Sequence, residues 1–206
     1  MKKIITLLLL LISSTFYGQF KLGITTSIEK HFLTSNDFEA NENANFAIGS
    51  HFRININDKS EIYLDFLYST RKVSFMGRVL DEPSEPEMSI LFKQNNINYG
   101  FYYNYYLKHQ KISVLFGPTL NYNMGFQLKK SQYEQAIFGT KKLTANDLEN
   151  NNNLVGYLTI GATGGIDDFK LVFRYNYGLT NNYKNLDTVK SNDKFINLSL
   201  IYSINI

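Results

Sequence analysis

Eight stretches of this chain alternate apolar and polar side chains residue by residue, and the connections between them alternate in length. Short connections fall at 57–60, 108–111 and 167–168, and long ones at 30–44, 76–88, 127–152 and 181–193. Alternation with a period of two marks a strand that shows an apolar face to one side and a polar face to the other. An even number of such strands, joined by turns at one end and loops at the other, closes most simply into an up-and-down barrel.

The predicted strands are 20–29, 45–56, 61–75, 95–107, 112–126, 154–166, 170–180 and 194–206. The fourth is the cleanest, with Ile97, Tyr99, Phe101, Tyr103, Tyr105 and Leu107 set against Asn98, Gly100, Tyr102 and Asn104. The fifth opposes Val114, Phe116, Leu120, Tyr122, Met124 and Phe126 to Ser113, Gly117, Thr119, Asn121, Asn123 and Gly125. Parity also tests the turns, because a one-residue slip would turn a whole strand inside out. Joining Ile166 to Phe169 keeps the apolar faces together, and so does setting Leu107 opposite Ile112. Pro118 has no N–H for a ladder bond, so a bulge or kink is expected at Gly117 and Pro118.

The first residues bear on location. Lys2 and Lys3 precede the apolar run 4–12 and the polar Ser13, Ser14 and Thr15, the pattern of a secretory signal peptide over residues 1–18. The run is too short for a transmembrane helix, which needs roughly 20 apolar residues. A barrel domain over 19–206 follows. Without the two leader lysines, 21 basic groups against 18 acidic ones become close to neutral, and nothing points to a nucleic-acid partner. The chain has no cysteine, so neither disulfides nor a lipidated N-terminal thiol is available.

Eight alternating strands also suit a soluble barrel of lipocalin type, with its apolar face inward. Three features favour lipid outside: aromatic residues dense on the apolar face, long loops at one end only, and a last strand that ends at Ile206. The expected class is therefore all-β, an eight-stranded antiparallel up-and-down transmembrane β-barrel of the bacterial outer membrane. Both termini are expected on the periplasmic side, with outer-membrane lipid and lipopolysaccharide around the barrel.

Three segments in register, 62–68 (IYLDFLY), 115–120 (LFGPTL) and 173–179 (FRYNYGL), resemble the PorT-like outer-membrane β-barrel family. The alternating Leu200, Tyr202, Ile204 and Ile206 are similar to the C-terminal signal read by the barrel-insertion machinery, with isoleucine where an aromatic is more usual. The resemblance implies an outer-membrane barrel that meets that machinery during biogenesis. One named family member participates in protein secretion, and no motif here extends that role to this chain.

Candidate chemistry lies on the polar face. His51, Arg53, Glu61, Asp65, Arg71, Lys170 and Arg174 all have lumen parity, and Arg53 falls opposite or diagonal to Asp65. They form either a gated conduit or charges packed in pairs; an interior just wide enough for side chains favours packing. Ser50 and His51 are adjacent in a strand and point to opposite faces, so they cannot be nucleophile and base. His31 is expected in the first loop and His109 in a turn. No catalytic set and no cofactor is expected.

Asp81, Glu82, Glu85 and Glu87 lack the spacing of a calcium loop and read as a solvated acidic loop. Ser131 and Glu134 have capping-box spacing and predict a short helix in the third loop, with Lys129, Lys130, Lys141 and Lys142 on its flanks. The expected role is structural or binding, through an envelope partner at loop 127–152, with a narrow pore as the alternative and an enzyme behind both.

Overall fold

The computed structural model describes residues 20–79, 86–108, 111–149, 153–166, 168–181, 183 and 191–205, so the leader expected at 1–18 and His109 lie outside them. In chain order the strands are β1 (Phe20–Ser35), β2 (Ala40–Glu42), β3 (Ala44–Asn57), β4 (Ser60–Arg78), β5 (Met88–Lys108) and β6 (Ile112–Leu128). They continue with β7 (Ile137–Phe138), β8 (Leu143–Thr144), β9 (Leu154–Gly165), β10 (Phe169–Gly178) and β11 (Ser191–Asn205). Apart from the short β2, β7 and β8, each strand pairs antiparallel with the next. β11 pairs back onto β1 from Lys21↔Asn205 to Ser35↔Ser191, which closes an eight-stranded up-and-down barrel.

Phe126 excepted, the predicted faces of the strands are those observed. Ile24, Phe116, Leu158, Ile160 and Leu200 stand on the outer surface more than half exposed, while Thr25, Ser113, Thr159 and Ser199 beside them are buried. So wide a belt of exposed large apolar groups fits lipid and not water. No helix among the described residues is long and apolar enough to cross a membrane; the strands do so.

Several strands run past their predicted ends, and β4 shows why. From Ile62 to Tyr68 the outward residues are apolar, and then come Thr70, Lys72 and Ser74. Inward, Glu61, Asp65 and Arg71 give way to Val73 and Phe75, both fully buried. The two faces exchange character where the strand leaves the lipid and acquires a water-soluble protein's polarity. Likewise β1 continues to Ser35, so His31 is a lumen residue of a strand and does not lie in a loop.

Three local expectations are corrected. Phe126 is turned inward because Gly125, at φ +81°, adds a residue to β6 and reverses parity between Met124 and Phe126, opposite a register shift at Gln94 and Asn96. Of the bulge or kink expected at Gly117 and Pro118, the bulge is excluded: β5–β6 pairing passes from Gly100↔Thr119 to Tyr103↔Phe116 in the same register. Leu107 does not face Ile112, since a register shift between Tyr106 and Lys108 sets Lys108 there. The Ile166–Phe169 hairpin is as expected, with the two residues exchanging N–H···O bonds of 2.9 and 3.1 Å.

The third loop is more structured than a single predicted helix. Ser131 starts only a 3-10 turn, Ser131–Tyr133, without a side-chain cap. The capping exchange occurs later, where Thr144 N–H donates to Asp147 Oδ2 (2.8 Å) and Asp147 N–H donates to Thr144 Oγ1 (3.3 Å), opening α1 (Ala145–Glu149). Before it, β7 and β8 form a small hairpin whose first strand pairs with Gly77 and Arg78 of β4.

Candidate functional site

Alternate residues of β4 point into the lumen, so reading along that strand gives the order of what fills the barrel, from the short-turn end upward. Glu61 comes first. Its Oε1 accepts from Lys170 Nζ (2.9 Å), Asn104 Nδ2 (2.9 Å) and the Tyr106 hydroxyl, and Arg53 lies 3.8 Å from Oε2. Lys170 also donates to the Tyr63 hydroxyl at 2.9 Å. One carboxylate thus gathers two cations and two neutral donors from three other strands, β3, β5 and β10.

Asp65 forms the second tier. Its partner across the β3–β4 ladder is His51, and Arg53 stands opposite Tyr63, diagonal to Asp65. Asp65 Oδ1 lies 2.5 Å from His51 Nδ1, and Oδ2 accepts from Arg174 on the far wall. Arg174 also donates to Ser199 Oγ (3.1 Å) and stacks over the Tyr102 ring, 5.0 Å from its centroid. Above it, Thr119, Thr159 and Asn176 are linked through side-chain hydrogen bonds of 2.7 Å.

Arg71 holds the third tier. It donates to both oxygens of Glu42, at 2.6 Å from Nε, and to Asp193 Oδ2 at 2.8 Å. Asp193 also accepts from the Tyr157 hydroxyl (2.9 Å) and faces His31 Nδ1 (3.2 Å); His31 stacks on Phe195 and lies 3.8 Å from Glu29. All seven predicted lumen residues are buried, and the bonds described set them at three levels along β4, around Glu61, Asp65 and Arg71. Glu29, His31, Glu42 and Asp193 were missed as members of the network. Parity would have found His31 and Asp193 had β1 and β11 been extended toward the loops; Glu42 comes from a three-residue strand with no such signal.

Beyond Arg71 the interior turns apolar. Leu33, Val73, Phe75, Ile90, Phe92 and Phe126 from the walls pack against Phe38, Ala136, Phe138, Leu143, Ala145 and Leu148 from the first and third loops and Tyr183 from the fourth. Phe75 meets Phe38, Phe92, Phe126 and Phe138 edge-on at 5.3 to 6.3 Å. Burial pushes the Tyr183 hydroxyl above its ordinary pKa. The third loop is thus a folded cap seated in the barrel mouth.

Beside the cap lies a cleft of about 490 Å³, lined by residues of the first loop, the end of β4 and the third loop, including Asp37, Phe38, Arg78, Glu87, Ile137 and Lys142. Arg78 donates to Glu87 at 3.0 Å across exposed surface. Of the acidic second loop, Asp81, Glu82 and Glu85 lie outside the described residues. Among the described residues no three metal-ligating side chains converge.

No family model matches the chain, and no curated protein does. Solved structures share its fold. The outer membrane protein OprG from Pseudomonas aeruginosa is 11% identical, with 92% of this chain and 97% of that one covered at a TM-score of 0.53. Neisserial surface protein A is 14% identical, with coverage of 90% and 97% and a TM-score of 0.48. Ail of Yersinia pestis, solved in complex with the heparin analogue sucrose octasulfate, is 10% identical, with coverage of 89% and 99% and a TM-score of 0.46. At these identities the likeness is one of fold, that of small outer-membrane β-barrels.

Proposed function

We propose that this protein is a non-enzymatic barrel of the bacterial outer membrane, with both termini periplasmic, that holds a folded loop platform at the cell surface for an envelope partner. The observation that carries the reading is the cap. Loop residues 136–148 bury five apolar side chains against the barrel walls, which fixes their outer surface and the adjoining cleft on a rigid support. Recognition commonly resides on loops positioned in this way by a scaffold. The PorT-like resemblance of the strands supports the outer-membrane barrel itself, and the partner's setting, an envelope or secretion assembly, is part of the proposal.

The pore alternative needs a hydrated path. Here the lumen charges sit in bonded tiers beneath an apolar cap, in a barrel whose strand number leaves room for little but side chains.

Because the native chain lacks cysteine, a single introduced one reports its own position. Thr140→Cys should react with a membrane-impermeant maleimide in intact cells, and Lys59→Cys only after permeabilisation; the reverse pattern inverts the proposed orientation. A crosslinker at Thr140→Cys should then capture the same envelope protein repeatedly. In planar bilayers the purified barrel should be silent, and discrete conductance would replace this reading with the pore. Lipid A and peptide mass spectra altered by the protein would replace it with an enzyme.

A further inference from the structure

Just past the lipid belt, two lysines stand directly opposite each other on the outer wall. Tyr68↔Ile97 is the last β4–β5 pair with two large apolar groups facing out; Thr70↔Asn95 follows, bonded side chain to side chain at 3.0 Å, and then Lys72↔Lys93. Both lysines are exposed. Like charges directly opposite on neighbouring strands are destabilising. The residues that share this face around them, Asn41, Thr70, Ser74, Leu91, Asn95 and Gln127, include no acid. Glu42 is turned inward onto Arg71, and the exposed Glu39 lies opposite Met76, four positions from Lys72 along β4. Two other outward lysines on the same rim are occupied, Lys30 by the Glu42 carbonyl and Lys194 by the Tyr177 ring.

The height of the pair above the belt is informative. Four residues separate Lys72 from Tyr68, which at a rise of about 3.3 Å and a tilt of about 40° is roughly 10 Å along the membrane normal. The headgroup layer extends roughly 5–8 Å beyond the hydrocarbon on each side. Lysine stems bend toward an interface readily, so both ammonium groups reach the plane of lipid phosphates. Lys129, just past the end of β6, bonds through its N–H to the Leu91 carbonyl and continues the basic rim beside β5.

Resting on the orientation proposed above, we infer that Lys72 and Lys93 form a docking rung for the phosphate groups of an outer-leaflet lipid, the anion lying between the two ammonium groups and offsetting their repulsion. Asn95 and Thr70 stand on the lipid side of it. The rung fastens the barrel wall to the leaflet directly beneath the loop platform.

The test uses the purified, refolded barrel in detergent, mixed with bis-phosphorylated lipid A or with the same lipid after phosphatase treatment, and native mass spectrometry counts retained lipid. The wild-type chain should retain the phosphorylated form preferentially, and K72Q/K93Q should lose about 30-fold in that retention, from the usual contribution of two interfacial lysines. K59Q/K111Q, which removes the same charge at the short-turn end, should behave as wild type. Heat-modified gel mobility confirms folding of each variant. Equal retention by wild type and K72Q/K93Q overturns the rung, as does an equal loss in K59Q/K111Q. Detergent has no sidedness, so either result is separate from the labelling that tests orientation.

Discussion

Asp65 offers the sharpest test of how the lumen is held. Its two oxygens engage His51 and Arg174, and all three residues are at most 2% exposed. Asp65→Ala leaves a guanidinium buried without its counter-charge, for which the expected loss is about 3–5 kcal/mol. The remaining contacts of Arg174, Ser199 Oγ, Asn197 Oδ1 and the Tyr102 ring, are neutral and replace little of it. At a urea slope of about 2 kcal/mol/M the unfolding midpoint should fall by roughly 2 M. Removing both charges separates pairing from packing. Asp65→Leu/Arg174→Met should recover at least half of the loss, because an apolar pair avoids the desolvation that the ions must overcome. The assay is urea unfolding of the micelle-bound barrel, followed by tyrosine fluorescence and gel mobility. A loss under about 1 kcal/mol in Asp65→Ala would refute the reasoning, since it would mean that water already solvates Arg174. It would also revive the conduit.

Other expectations concern the mouth. Phe75→Ala removes the ring on which four others pack and should cost about 3–5 kcal/mol, read by the same unfolding curve; an unchanged curve would mean the cap contributes nothing. Gly139 lies at φ +68°, and an added Cβ would sit 2.5 Å from Asp37 Oδ2 and 2.6 Å from its carbonyl oxygen. Gly139→Ala should therefore loosen the third loop by at least about 1–2 kcal/mol while β9–β11 stay protected, as hydrogen exchange would show. Arg71→Met takes the cation from between Glu42 and Asp193 and should release β2, with protease cleavage near residues 36–44. Cleavage no faster than wild type would show that β2 is held by its ladder alone.

The wall of this barrel is legible from parity because a strand between lipid and a polar lumen must alternate. Ile97 to Leu107 announce their outward face at every second position, and Asp65, Arg71 and Arg174 their inward one. The reading fails where the environment changes. Past Tyr68 the outside is polar, so Val73 and Phe75 turn inward with parity intact and chemistry reversed, and a rule that assigns apolar residues to lipid stops short. It fails again at Gly125, where one extra residue flips Phe126.

The identity of the partners was decided by tertiary structure. Asp65 selects His51 through ladder register and Arg174 across the lumen, 109 positions away. Asp193 meets His31 only because β11 closes on β1, a seam that joins residues 162 positions apart. Alternation in a strand specifies which side a side chain faces, a local property. Which residues meet on that side depends on register, closure and the inward packing of loop three, all of them non-local.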